Sequence, residues 1–277
     1  MPSPPFRGGN NGGRYLMVSV RVVKIGGNEL DRPDWLAACA RELKPLEPVV
    51  VVHGGGQAVN ALSRRLDLPV EKQGGLRVTT PAVAEIVELV LAGPVNRLVV
   101  AALRGAGLDA LGLAGVDGGL LTARPAGGGL GHVGEITAVR VSLLRSLLEA
   151  GLTPVIAPTA PGPDGAGVGG VGGGVPFNVN ADDAAAVVAG ALHAAELLFI
   201  SDVPGVHVDG VVQPSLDAGD IEPLIELGAA TDGMAVKLRA AVAALRAGAR
   251  SVRIGDLHLL GNPSAGTRIL STAVQPA

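Results

Sequence analysis

The first apolar runs of the chain each end in glycine. Val18–Ile25 reads as a buried strand running into Gly26-Gly27, and Pro48–His53 as a second running into Gly54-Gly55-Gly56. The second is almost continuous valine, which suits a strand covered on both faces. Pro33–Leu43 and Ala58–Leu66 carry helical spacing. Strand, glycine, helix, repeated twice, predicts a parallel α/β sheet. Right-handed crossovers put both glycine turns at the same carboxyl edge of that sheet.

The pattern continues with a hairpin over Val70–Val78, turning at Gly74-Gly75. Thr80 is placed to cap a helix that opens at Pro81 and runs to Leu91. A second helix is expected over Val95–Arg104, then a strand pair within Leu108–Ala123, a helix over Ser142–Ala150 and a strand over Thr153–Ala157. Pro158–Pro176, rich in Gly and Pro, reads either as an open loop or as a short hairpin with a glycine-rich tip. It marks the expected boundary between an N-terminal lobe (17–175) and a C-terminal lobe (176–277). The second lobe shows helices over Ala181–Leu192 and Met234–Ala247 and strands over Leu197–Ser201 and Ser251–Ile254. Residues 1–16, dominated by Pro, Gly and Asn, are expected to form a disordered leader.

Composition narrows the function classes. Residues are 48% hydrophobic but only 2% aromatic, so the core must be Val, Leu, Ile and Ala. A net charge of -3 with no basic stripe argues against a nucleic-acid partner. No apolar run is expected to approach the roughly 18 residues that span a membrane. The single cysteine, Cys39, excludes an intrachain disulfide and points to a reducing cytoplasm. The five histidines show no metal-ligand spacing. Lysine is confined to Lys24, Lys44, Lys72 and Lys237, with arginine elsewhere, so a lysine beside a glycine motif draws notice.

Several segments carry candidate chemistry, each with a plainer alternative. Lys24-Ile25-Gly26-Gly27 is either a tight turn with a snorkelling lysine or a phosphate cradle, since glycine lets amides approach an anion. His53-Gly54-Gly55-Gly56 offers the same choice, and His53 reads better as a hydrogen-bonded core residue than as a catalytic base. Arg77, in Leu76-Arg77-Val78-Thr79, is a surface arginine or a carboxylate clamp. In Asn178-Val179-Asn180-Ala181-Asp182 the polar residues cap a helix or line a site. Ser201-Asp202-Val203-Pro204-Gly205-Val206 is a strand entering a tight turn. Thr231-Asp232-Gly233-Met234 opens a helix that turns Lys237 either inward or to solvent. The P-loop pattern is absent.

Taken in order, Lys-x-Gly-Gly, His-Gly-Gly-Gly, Leu-Arg-Val-Thr, Asn-Val-Asn-Ala-Asp, Ser-Asp-Val-x-Gly, Thr-Asp-Gly-Met-x-x-Lys and Gly-Thr-Arg-Ile resemble the amino acid kinase family over about Val22–Leu270. Within it, the likeness is to members that phosphorylate the side-chain carboxylate of N-acetyl-L-glutamate. The resemblance implies a three-layer αβα sandwich around an open, mainly parallel sheet. ATP, accompanied by Mg2+, would bind in the C-terminal lobe, with no dedicated metal-binding residues. It casts Lys24, Lys237 and Asp182 as catalytic. Gly27, Gly54, Gly55, Gly56, Arg77 and Asn178 would bind substrate. Ser201, Asp202, Val203, Pro204, Gly205, Val206, Ala229, Ala230 and Thr231 would line the nucleotide pocket. It further implies a homodimer through the N-terminal lobe. Two other readings on the same fold are a kinase for carrier-linked aminoadipate or glutamate and a catalytically dead amino-acid sensor.

Overall fold

The computed structural model describes residues 19–27, 29–162 and 174–271. The expected leader lies outside them, as does the glycine-rich centre of Pro158–Pro176. The first half runs β1 (Arg21–Ile25), α1 (Pro33–Leu43), β2 (Val49–His53), α2 (Gly56–Arg65), β3 (Lys72–Gln73), β4 (Leu76–Arg77), α3 (Pro81–Val90), α4 (Asn96–Gly105), β5 (Ala110–Ala114), β6 (Leu121–Pro125), β7 (Val133–Val139), α5 (Val141–Glu149), β8 (Thr153–Ala157) and β9 (Thr159–Ala160). The second runs β10 (Phe177–Val179), α6 (Ala181–Leu192), β11 (Glu196–Ile200), β12 (His207–Val208), β13 (Val211–Val212), β14 (Ser215–Asp217), α7 (Ile221–Glu226), α8 (Asp232–Arg246), β15 (Val252–Gly255), α9 (His258–Gly261) and β16 (Thr267–Leu270).

Eight strands form the central sheet in the order β14-β16-β15-β11-β1-β2-β8-β5. Every pair is parallel except β15 with β16. Side-chain alternation sends Val22, Val50 and Val52 to one face, under α5, α6 and α8. Val23, Ile25, Val49 and Val51 face the other way, under α1, α3 and α4. Each fully buried valine contributes about 1.5–3 kcal/mol, so these two apolar layers fix the sandwich. The same alternation is decisive for the site. Lys24 shares the parity of Val22 and so faces the layer of α6 and α8.

The strand pair expected within Leu108–Ala123 is not one. β5 closes the edge of the large sheet, whereas β6 belongs to a second sheet of order β6-β7-β10-β9. The chain changes sheets at Gly115, whose amide donates to the Thr159 carbonyl at 2.9 Å. A Cβ there would lie 2.1 Å from that oxygen, so only glycine fits the crossing. β7 was not anticipated; β9 and β10 pair antiparallel on either side of the glycine-rich segment, the pairing that the hairpin alternative for Pro158–Pro176 calls for. β10, beyond the expected lobe boundary, pairs with β7 and β9.

The expectation that no apolar run reaches a membrane-spanning length also needs correction. Pro81–Gly105 spans 25 residues and holds an 18-residue window of mean hydropathy 1.8, long and apolar enough to cross a membrane by length and composition. Its apolar stripe of Val83, Val87, Val90, Leu91, Val95, Val99 and Leu103 is buried in the core. Gly93 leaves helical geometry just before Pro94, bending the run over the sheet. The two segments read as separate helices are α3 and α4, which meet at this kink over Leu91–Val95.

Candidate active site

Three adjacent strands, β11, β1 and β2, end level with one another: Ile25 is paired with Ile200 on one side and His53 on the other. Their following turns, Ser201-Asp202, Gly26-Gly27 and Gly54-Gly55-Gly56, share the carboxyl edge of the sheet. They line a cleft of about 520 Å³ with residues from β4, β10, α6 and α8. A strand order that departs in both directions from β1 opens a crevice at this point.

Lys24, Asp182 and Lys237 meet in its floor. Asp182 Oδ1 lies 2.9 Å from Lys24 Nζ and 2.9 Å from Lys237 Nζ. All three residues are nearly buried, at 7%, 7% and 6% exposure. Asn180 does cap α6, its Oδ1 accepting from the Asp182 and Asp183 amides, and the cap presents Asp182 at the first helical turn. Burial opposes charge on Asp182, but the two ammonium groups outweigh it and hold the carboxyl below its ordinary range. Lys237, above the Phe199 ring at 5.3 Å, is lowered to about 8 by burial and then by repulsion from Lys24. Two ammonium groups sharing one carboxylate give this three-residue cluster a net positive charge in the floor of the cleft.

The glycine turns complete this anion trap. A Cβ at Gly27 would lie 2.6 Å from the Gly55 nitrogen, so the two backbones face each other with no room for a side chain. Gly54 and Gly56 also line the cleft.

Arg77 and Asn178 sit in the wall nearer the second sheet. Arg77 Nη2 donates to the Gly56 carbonyl at 3.1 Å, whereas Nη1 is buried with no hydrogen-bond partner. Thr79, fully buried, ties both residues together. Its hydroxyl donates to the Arg77 carbonyl at 3.0 Å, so its oxygen must accept from Asn178 Nδ2, also at 3.0 Å. Asn178 is thereby oriented by its amide nitrogen, leaving its oxygen as an acceptor.

Of the nucleotide-pocket expectations, Ser201, Asp202 and Val203 line the cleft. Pro204, Gly205 and Val206 lie in the turn behind it, where the Val206 amide donates to Thr267 Oγ1 at 2.8 Å. Ala229 and Ala230 precede the cleft wall, and Thr231 stands at the N-cap of α8. From that helix, Gly233, Met234, Val236 and Lys237 reach the cleft.

Some residues of the site were not assigned from the sequence. Glu29 lines the cleft at 6% exposure. Burial, and then repulsion from Asp202, raise its carboxyl above the ordinary range. Its only sequence signal is its place just after Gly26-Gly27. Thr79 had a signal in its place beside Arg77. Asn96 had a fainter one, as a polar residue on the stripe of Val95, Val99 and Leu103.

The family model described as the amino acid kinase family matches residues 19–256. The chain belongs to this family. It is 47% identical over 256 residues to an acetylglutamate kinase of Chloroflexus aurantiacus, covering 91% of this chain and 97% of that one. An acetylglutamate kinase of Roseiflexus sp. is 45% identical over 90% of this chain and 93% of its own. A crystal structure from Streptococcus mutans UA159 superposes with a TM-score of 0.79 at 29% identity, covering 91% of this chain and 98% of that one. Membership accounts for the three-layer αβα sandwich with its mainly parallel sheet.

Proposed function

We propose that the chain transfers the γ-phosphoryl group of ATP to the side-chain carboxylate of N-acetyl-L-glutamate, a step of arginine biosynthesis. The observation that carries this reading is the buried Lys24–Asp182–Lys237 cluster beneath two opposed glycine turns. Both reactants are anionic, and a carboxylate nucleophile is already deprotonated at neutral pH. The reaction therefore needs positive charge and oriented amides rather than a base. One carboxylate oxygen bonds to the γ-phosphorus, the bond from that phosphorus to the bridging oxygen breaks, and ADP leaves. Lys24 and Lys237 neutralise the group in flight, Asp182 holds their ammonium groups together, and the Gly27 and Gly55 amides receive phosphoryl oxygens.

Arg77 clamps the α-carboxylate through its unpartnered Nη1. Asn178 accepts the acylamino N–H. The Ser201–Val206 turn and Ala229–Thr231 serve the nucleotide side. Among the described residues no three His, Cys, Asp or Glu side chains cluster as a metal cage. Glu29 and Asp202, both lining the cleft, fit the outer side of a hydrated Mg2+ carried by the nucleotide. That ion would screen charge between the β- and γ-phosphates.

The curated relatives named above are acetylglutamate kinases, which favours this substrate over a carrier-linked aminoadipate. An intact lysine–aspartate–lysine cluster weighs against a sensor without activity. The same reading takes the chain to be a cytoplasmic homodimer. Leu98 on α4 and Leu111 on β5, exposed at 45% and 37%, lie at the β5 edge of the N-terminal lobe as apolar contact material. A coupled ADP-release assay tests the activity. Acetylglutamate should be turned over and aminoadipate-type substrates should not; the opposite order rejects the proposal. Light scattering giving a monomer rejects the dimer.

A further inference from the structure

His53 stands at the head of a glycine turn in the cleft, yet it is wholly buried and turned away from any reactant. We propose that His53, locked in one tautomer by Asn96, is the positioning residue that aims the Gly55 amide at the transferring phosphoryl group. The role of that amide rests on the phosphoryl-transfer reading above.

The tautomer follows from hydrogen-bond logic. Asn96 is fully buried at the start of α4, and its Nδ2 lies 3.0 Å from the Val155 carbonyl of β8. A carbonyl only accepts, so the Asn96 atom facing it must be the amide nitrogen. The same nitrogen lies 3.1 Å from His53 Nε2 and has one hydrogen left to give. Nε2 therefore carries a lone pair, and the ring proton sits on Nδ1. Nδ1 is 2.8 Å from the Gly54 carbonyl and donates to it. Burial lowers the His53 pKa to about 4, so this neutral form persists at neutral pH.

The consequence falls on the next amide. In a trans peptide the C=O and N–H point in opposite directions. Anchoring the Gly54 carbonyl on the imidazole turns the Gly55 N–H away from the ring. The Gly55 nitrogen lies directly against Gly27 at the cleft, where a Cβ on Gly27 would approach it to 2.6 Å. Gly54 is pinned at its other side by its own amide, which donates to the Ile25 carbonyl at 3.0 Å. Gly55 itself has φ 154°, a conformation open to glycine but not to a residue with a side chain. A run of glycines has little stiffness of its own. The relay from Val155 through Asn96 and His53 supplies it from the core.

Three variants and one spectrum test this. His53→Leu removes the donor at similar volume. It should lower kcat by about 10–100-fold, short of the 10²–10³-fold for deleting such an amide donor outright. KM for either substrate should change by less than about threefold, since the contact matters most in the transition state. His53→Asn puts an amide nitrogen where Nδ1 was and should return kcat to within about fivefold of wild type. Asn96→Leu should behave like His53→Leu. Wild-type kcat in His53→Leu, a loss confined to KM, or equal losses in His53→Leu and His53→Asn would each overturn the proposal. Should a variant fail to fold, the wild-type protein still decides. Long-range 1H–15N correlation of its histidines at neutral pH should show the His53 proton on Nδ1, and a proton on Nε2 overturns the relay. Wild-type protein inactive on acetylglutamate would instead reject the proposed function, while the spectrum would still report on His53.

Discussion

Lys237 offers the sharpest quantitative test, because the fold holds it charged against its own tendency. Its pKa is lowered from 10.5 to about 8, first by burial and then by the neighbouring Lys24. At about 1.4 kcal/mol per tenfold in proton affinity, keeping this buried ammonium charged costs roughly 3 kcal/mol at neutral pH. Unfolded, the lysine titrates near 10.5; folded, near 8. Between those pH values the unfolded chain binds more protons, so stability rises with pH through that window, and below it the full cost is present. Lys237→Met keeps the length and removes the charge, while Asp182 retains Lys24 at 2.9 Å. The variant should therefore unfold at a temperature about 3–8 °C higher at pH 7, and its advantage should shrink by pH 10. Its kcat should fall by about 10²-fold or more, because a transition-state charge contact is lost. Thermal unfolding of both proteins at pH 7 and pH 10, beside the coupled ADP assay, measures each part. A lower midpoint for the variant at pH 7 would mean that Lys237 stabilises the fold as an ordinary ion pair, and would refute this account. A midpoint difference independent of pH would do the same.

Three further outcomes follow from the geometry. Arg77→Ala should raise KM for acetylglutamate by about 10–100-fold, the worth of a charge-assisted pair, and leave KM for ATP within about twofold; steady-state kinetics with each substrate varied separates the two, and equal rises would move Arg77 out of the substrate clamp. Thr79→Val breaks the hydroxyl link between Arg77 and Asn178, so it should raise the same KM by about 5–20-fold for about 1–2 kcal/mol of lost orientation, with Thr79→Ser close to wild type. If Thr79→Ser is as impaired as Thr79→Val, the methyl packing matters and the hydroxyl does not. Gly27→Ala drives a Cβ to 2.6 Å from the Gly55 nitrogen, which must part the two glycine turns. An alanine variant with wild-type kcat would show that their apposition is dispensable.

The sequence by itself determined whatever depends on neighbours along the chain. Pro33–Leu43 and Ala181–Leu192 begin and end where the sequence puts them. Thr80 caps α3 by accepting from the Val83 amide, as its place before Pro81 foretold. The glycine turns after β1 and β2 share one sheet edge because both follow parallel strands of matched length. These features rest on hydrogen bonds and steric limits within a few residues. The two lysines of the buried cluster were likewise legible, because in a chain with so few lysines the two beside glycine motifs stood out.

Tertiary structure alone decided the rest. No local signal brings Lys24, Asp182 and Lys237 to 2.9 Å; strand parity turns Lys24 toward α6 and α8, and only the packing of those helices makes them meet. β6 and β7 form a second sheet because Gly115 lets the chain pass under Thr159, a contact between segments far apart in sequence. The apolarity of Pro81–Gly105 has the same composition in a membrane helix as in a core helix, and only the sheet beneath it tells them apart. His53 and Asn96 gain their roles 43 residues apart, through a hydrogen bond that exists only once α4 has docked over β2 and β8. Local chemistry can be read along the chain, but the direction in which a buried polar group points depends on the partner that folding delivers to it.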